Sequence, residues 1–280
     1  MKPIKKGDTV SRKDFNEDII FEVKRIINLS SGKKLAILKG ITERIEVDSD
    51  VEDLILVSRE EVETTLKRIE KNFETKFLKN KREKQSRKIP DFKTGRILHL
   101  DGDRKYSEKS LRYYRKMGLD AIVKNIPEYR QPKLVYDLLS YYKPDILIIT
   151  GHDGMLKKGK NYNDIYNYRN SRYFIETVKE ARRYEREQGA DMVIFAGACQ
   201  SYYEALIMAG ANFASSPARI LIDFLDPIVI AEKVATTDPF KYITINDLEK
   251  DLRDGKRGVG GIGANRKAKK QQCNIYVIKL

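Results

Sequence analysis

Residues 146–154 read ILIITGHDG and residues 192–200 read MVIFAGACQ. Each is a short apolar run ending in small residues, the pattern of a buried strand that runs into a tight turn. Each turn presents one side chain capable of chemistry, His152 in the first and Cys199 in the second. A polar loop and a helical pattern over residues 170–188 separate them. Strand, crossover helix, strand makes a βαβ unit with parallel strands whose C-terminal ends share one edge of the sheet. His152 and Cys199 are therefore expected to be neighbours, on the edge where open α/β sheets bind their ligands.

Upstream, the alternation continues. Residues 96–100 (RILHL) read as a strand, 107–117 as a helix that Gly118 ends, 121–123 as a strand, 134–142 as a helix stopped before Pro144, and 145–150 as a strand. The order βαβαβ predicts a mostly parallel sheet with flanking helices. His99 lies inside the first strand and is expected to be a hydrogen-bonded core residue without a chemical role. Asp101 and Asp103, just past that strand, either line the site or cap the next helix.

Downstream, residues 212–219 (NFASSPAR) read as a short strand closed by Pro217, suited to a sheet edge that pairs with an extended substrate, with Ser215 and Ser216 as contacts. Helical or apolar segments are expected over 228–234 and 245–253. The glycine-rich residues 255–263 are expected to form a mobile loop near the site; GVGGIG there follows a helix, the wrong setting for a dinucleotide fingerprint. A last strand is expected over 275–279, with Cys273 before it as a structural residue.

In front of this α/β domain (93–280), residues 1–58 carry short β-branched runs with turns at Ser31-Gly32 and Lys39-Gly40, and fit a small SH3-like β-barrel. Residues 59–92 form the connection: Leu66, Ile69, Phe73 and Phe77 recur at helical spacing, then fade into the basic linker KNKREKQSRK at 79–88.

With 280 residues, 41% hydrophobic and 34% charged, the chain supports one sizeable core plus a smaller domain. No apolar run approaches the roughly 20 residues that span a bilayer, and the N-terminal residues lack the apolar core of a secretion signal. Two cysteines and two histidines, scattered, predict neither a disulfide framework nor a metal site, and no cofactor is expected. A net charge of +14 favours association with anionic partners.

A thiol attacks as thiolate, and an ordinary cysteine is mostly protonated at neutral pH, so it needs a base or a helix N-terminus beside it. His152 is the candidate base. Residues 201–208 are expected to begin a helix right after Cys199, with Ser201 and Glu204 in capping-box spacing. The N–H groups of Gly154 and Cys199 are candidate oxyanion donors. For Cys199 the bland alternative is a buried core thiol.

The strand-His-Gly and strand-Ala-Cys pattern is similar to the caspase-hemoglobinase class of cysteine peptidases. More specifically, ITGHDG, FAGACQSYYEALIMAGANFASSPARILIDFLDP and GVGGIGAN resemble the YabG family of sporulation-specific peptidases from endospore-forming bacteria. That resemblance implies a caspase-hemoglobinase-like sheet, synthesis in the cytoplasm of the sporulating cell with association to the forming coat, and cleavage of spore coat and cortex-associated proteins by nucleophile Cys199 and base His152. In two respects the sequence departs from the wider class. Asp153 intervenes before Gly154, which leaves the oxyanion donor open, and Gly197 stands where relatives that cut after basic residues carry an acid. Asp153, Asp223 and Asp226 are the candidates to supply that acid; caps of turns or helices are the alternative for the last two. The competing function is a non-enzymatic basic scaffold that docks on nucleic acid or coat proteins.

Overall fold

The computed structural model describes residues 3–13, 19–85, 92–156, 161–237, 241–265 and 269–270. Cys273 and the strand expected over 275–279 lie outside them. In the first unit, β1 (Thr9–Arg12), β2 (Phe21–Asn28), β3 (Lys34–Gly40), β4 (Glu46–Asp50) and β5 (Leu54–Leu56) form one antiparallel sheet in the order β4-β3-β2-β1-β5. Its outer strands β4 and β5 are not paired with one another among the described residues, so the sheet is not a closed barrel. A register shift between Val23 and Arg25 bends β2.

Helix α1 (Arg59–Gln85) leads out of this unit. It runs through most of the segment expected as a basic linker, because Lys, Arg, Glu and Gln are strong helix formers and neither glycine nor proline interrupts them. Glu70 on α1 pairs with Lys109 (3.3 Å) and Arg112 (3.0 Å) of the second unit.

That second unit follows as β6 (Phe92–Lys93), β7 (Ile97–Asp101), α2 (Arg104–Lys116), β8 (Ala121–Asn125), α3 (Gln131–Tyr142), β9 (Ile146–Thr150), α4 (Ser171–Gln188), β10 (Val193–Ala196), α5 (Tyr203–Met208), β11 (Phe213–Ser215), α6 (Asp226–Thr236), β12 (Tyr242–Ile243), α7 (Ile245–Leu248), α8 (Gly255–Gly258), β13 (Val259–Gly261), β14 (Ala264–Asn265) and β15 (Lys269–Lys270). Its main sheet has the order β13-β11-β10-β9-β7-β8. Five strands are parallel and β13 alone is antiparallel, at the edge.

The strands are apolar on both faces because both are covered. Ile97, Ile146, Ile148 and Phe195 face one core with Tyr113 and Tyr114 of α2 and the buried α6. Leu98, Leu147, Ile149 and Ile194 face the other, with α3 and α4. After β8 the chain crosses to the far side of β7 and adds β9, β10 and β11 in turn. The reversal of strand order opens a crevice between the C-terminal ends of β7 and β9, the place where such sheets take their ligands.

Two sequence expectations at the far edge are overturned. Residues 212–219 are not an open edge, since β13 pairs along β11 through Phe213–Gly261, Ala214–Gly260 and Ser215–Val259. Correspondingly, residues 255–261 of the expected loop form α8 and β13. A side chain at Gly261 would collide with the Asn212 carbonyl and the Phe213 ring, so glycine is what lets β13 lie this close.

Candidate active site

The ladder between β9 and β10 runs from Ile146–Val193 to Ile149–Ala196, so the turns carrying His152 and Cys199 leave the sheet side by side. Two hydrogen bonds tie them together. Met155 N–H donates to Gln200 Oε1 (3.1 Å), and Ser201 Oγ donates to Asp153 Oδ2 (2.8 Å). Gly197 turns the chain out of β10 with φ +113°, and a Cβ there would strike Ser215 Oγ.

Asp153 is the hub of the first turn. Fully buried, it accepts hydrogen bonds from Gly154 N (2.9 Å), Asn170 N (2.7 Å), Ser171 Oγ and Ser201 Oγ. Burial nonetheless pushes its carboxyl pKa up, outweighing those four donors. All four lone-pair directions of the Asp153 carboxylate are thus engaged within the two turns and α4. Gly154 N–H is likewise bonded to Asp153 Oδ1, whereas the Cys199 N–H has no acceptor among the described residues.

His152 is held at both ends of its backbone. Its N–H donates to Glu128 Oε1 (2.7 Å) and its carbonyl accepts from Asn170 Nδ2 (2.9 Å). Glu128 stands between β8 and α3, and its carboxyl is pushed up to about 7 by burial. Gly102 and Gly151 make room for it, because a side chain at either would overlap that carboxylate. The imidazole Nε2 stands 3.1 Å from the Gly40 carbonyl, and Nδ1 has no hydrogen-bond partner among the described residues. Burial, with Lys39 adding to it, holds the imidazole down at about 4.

Cys199 is fully buried and packs with Val10, Phe21, Leu38 and Ile45 of the first unit and with Ile222. Its Sγ accepts from Ile222 N (3.4 Å) and approaches the Ile222 carbonyl at 4.0 Å. Burial first, and Glu43 next, push the thiol up to about 12. No hydrogen bond joins Cys199 to His152. The expected helix N-terminus is absent as well: α5 starts only at Tyr203, and Ser201, instead of capping it, accepts from Ala198 N and donates to Asp153. Both groups are thus buried beneath the first unit, where burial favours the neutral form of each.

What covers them is the connection between β3 and β4. Its backbone lies along the His152 turn: Glu46 N–H donates to Asp153 O (2.9 Å), Asp153 N–H donates to Arg44 O (3.3 Å), and Ile45 bridges Asp153 in parallel. Arg44 enters the crevice between β7 and β9 and is 1% exposed. Its Nη2 lies 2.8 Å from Asp101 Oδ2, and its Cζ sits 4.6 Å from the Tyr106 ring centre and 5.2 Å from that of Phe224. None of the guanidinium nitrogens has an acceptor in hydrogen-bonding geometry among the described residues. Although burial works against it, Arg44 with His99 keeps the Asp101 carboxyl well below the usual carboxylate range. A cavity of about 170 Å³, lined by Arg44, Tyr106, Phe224 and Arg253, opens beside it.

Other predicted residues serve as scaffolding. Ser215 Oγ donates to Ala198 O (2.9 Å); Ser216 Oγ donates to Ile220 O and accepts from Ile220 N. Both serines are buried, with their hydroxyls bonded to backbone. Asp226 accepts from Asp223 N and Arg253 N, with its carboxyl pushed up to about 6 by burial, and Asp223 accepts from Leu225 N; both act as caps. Asp103 caps α2 through Lys105 N and Tyr106 N and pairs with Lys39 at 2.8 Å. His99 bonds Tyr114 Oη and Thr150 Oγ1 in the core. Arg44, Tyr106 and Glu128 were not singled out from sequence. Glu128 follows a strand end on the same sheet edge, a signal that was legible; Arg44 carries none.

The family described as YabG peptidase U57 matches residues 5–272 of the chain. The sporulation-specific protease YabG of Bacillus subtilis (strain 168) is 37% identical over 273 residues, which cover 91% of this chain and 93% of that protein. No solved structure matches.

Proposed function

The chain belongs to the YabG peptidase family, and from that premise we propose that it is a cysteine endopeptidase of sporulation in which Cys199 is the nucleophile and His152 the base. The observation that carries this reading is the adjacency of the two turns at the ends of neighbouring parallel strands, cross-tied through Gln200 and Asp153. The mostly parallel sheet supports the caspase-hemoglobinase-like assignment, and the small antiparallel unit keeps an SH3-like module as its reading, within a division at 1–58, 59–92 and 93–280. The proposed substrates are spore coat and cortex-associated proteins. No described helix is long and apolar enough to cross a membrane.

In the working enzyme His152 takes the thiol proton, the Cys199 thiolate attacks the scissile carbonyl, and the Cys199 N–H holds the resulting oxyanion. The protonated imidazole then passes its proton to the leaving amine, and water, activated by the same base, hydrolyses the thioester. In this structure both groups are buried and no hydrogen bond joins them, so the cycle requires a rearrangement that brings water and the imidazole to the thiol.

Purified wild type, Cys199→Ala and His152→Ala proteins incubated with spore coat extract, with the new termini mapped by mass, test the reading. Cuts made by wild type alone establish the dyad. Cuts persisting in both variants overturn Cys199 and His152 as the dyad.

A further inference from the structure

Arginine is rarely buried, and taking its charge out of water is offset only when geometry and hydrogen bonds are good. Arg44 meets neither condition well. It is 1% exposed, pairs with Asp101 through one nitrogen at 2.8 Å, and leaves its guanidinium without an aligned acceptor. A staple between two units would be expected to bond in both prongs of the fork. What surrounds the guanidinium is instead a generic site for a planar cation: a carboxylate below it and the faces of Tyr106 and Phe224, themselves 5.5 Å apart, beside it. The site lies in the crevice at the reversal of strand order, where a ligand belongs and where the chain's own loop now sits.

Around it Ile45 and the strand ends that flank the loop, Gly40 of β3 and Glu46 of β4, also contact the candidate catalytic residues. The Gly40 carbonyl holds the His152 imidazole, Ile45 packs in the cluster that seals Cys199, and Glu46 covers Gly154, where a side chain would strike its carbonyl. We propose that residues 41–45 are an internal plug: Arg44 fills a guanidinium pocket built by Asp101, Tyr106 and Phe224, and the enzyme is closed until the first unit lifts off the sheet edge. The proposal rests on the reading of Cys199 and His152 as the dyad, but its central claim, that Arg44 keeps Cys199 inaccessible, is measurable without any substrate.

The experiment compares alkylation of Cys199 by iodoacetamide in the full chain, located by peptide mass mapping, for wild type, Arg44→Lys and Arg44→Gln, each first shown to melt cooperatively. Lysine keeps the charge and stem without the fork, and glutamine removes the charge. Labelling tracks the open population, so the plug predicts rates rising from wild type to Lys to Gln, the last by about tenfold or more. If glutamine does not fold, lysine alone carries the comparison. A folded variant labelled no faster than wild type overturns the plug, as does failure of both variants to fold, which makes Arg44 a structural staple. Faster labelling of a folded variant that makes no cuts in the coat-extract assay leaves the plug standing and removes the dyad reading; proteolysis by wild type, lost in Cys199→Ala and His152→Ala, with unchanged labelling of the Arg44 variants does the reverse.

Discussion

Asp153 illustrates how a side chain can hold a site together without touching a substrate. Oδ1 takes two backbone N–H groups and Oδ2 takes two serine hydroxyls, each of which also accepts from a backbone N–H, Tyr202 on Ser171 and Ala198 on Ser201. An asparagine can keep the backbone pair on its oxygen and donate to both hydroxyls, taking away only the acceptor for their own protons, whereas alanine strands all four donors. Asp153→Asn is therefore expected to keep activity within a few-fold, while Asp153→Ala loses about 2–4 kcal/mol in denaturant unfolding. A loss of about a hundredfold in the folded asparagine variant would instead mark Asp153 as a charge that a substrate needs. His152 makes the second residue-scale prediction. Its imidazole titrates near 4 when folded and near its ordinary 6.5 when unfolded. Between those values the unfolded chain binds more protons, so wild type should lose stability relative to His152→Asn as pH falls from 6.5 towards 4, by on the order of 3 kcal/mol in all. A stability difference flat across that window sinks the assignment of a neutral, buried His152.

At the scale of elements, the sequence was most legible where one rule acted alone. The strands β7, β9 and β10 and the helices α3 and α4 follow from periodicity, glycine and proline stops, because their apolar faces meet layers of the same unit. Where the neighbour decided the conformation, the reading went astray. Residues 259–261 are mostly glycine and hold no strand pattern, yet they form β13 because β11 supplies the hydrogen bonds and the space. Ser201 and Glu204 had the spacing of a capping box, but Asp153 competes for the Ser201 hydroxyl, and the helix starts later. Gly261→Val tests how closely β13 is fitted: overpacking against Asn212 and Phe213 should cost about 1–3 kcal/mol and raise hydrogen exchange over 259–261. An unchanged melt would mean that the edge strand relaxes freely.

On the scale of the whole molecule, no sequence rule foretold that the first unit would cover the second, since hydrophobic patterns describe packing within units and not between them. The two cores were visible separately; Arg44, in an unremarkable turn, was not. The periphery of the contact is ionic and partly exposed: Lys39–Asp103 at 2.8 Å, Arg169–Glu46 at 3.6 Å and Arg169–Asp48 at 3.5 Å, and Arg253–Glu43 at 3.9 Å. Such pairs weaken as the Debye length shrinks, so raising salt from about 0.05 to about 0.5 M should speed Cys199 labelling a few-fold in wild type. A rate indifferent to salt would assign the closure to apolar packing alone.

Helix α1 gives the closure a further property. Twenty-seven residues long, or about 40 Å of rod, it leaves the first unit just past β5 and is pinned to α2 through Glu70. A covering unit that swings away therefore stays on a short leash, at an effective concentration on the order of millimolar with respect to the crevice it left. Dilution cannot wash it out, and reclosure is a first-order event that no partner has to find by diffusion. Whatever opens the enzyme must hold it open, by occupying the vacated crevice or by cutting the leash.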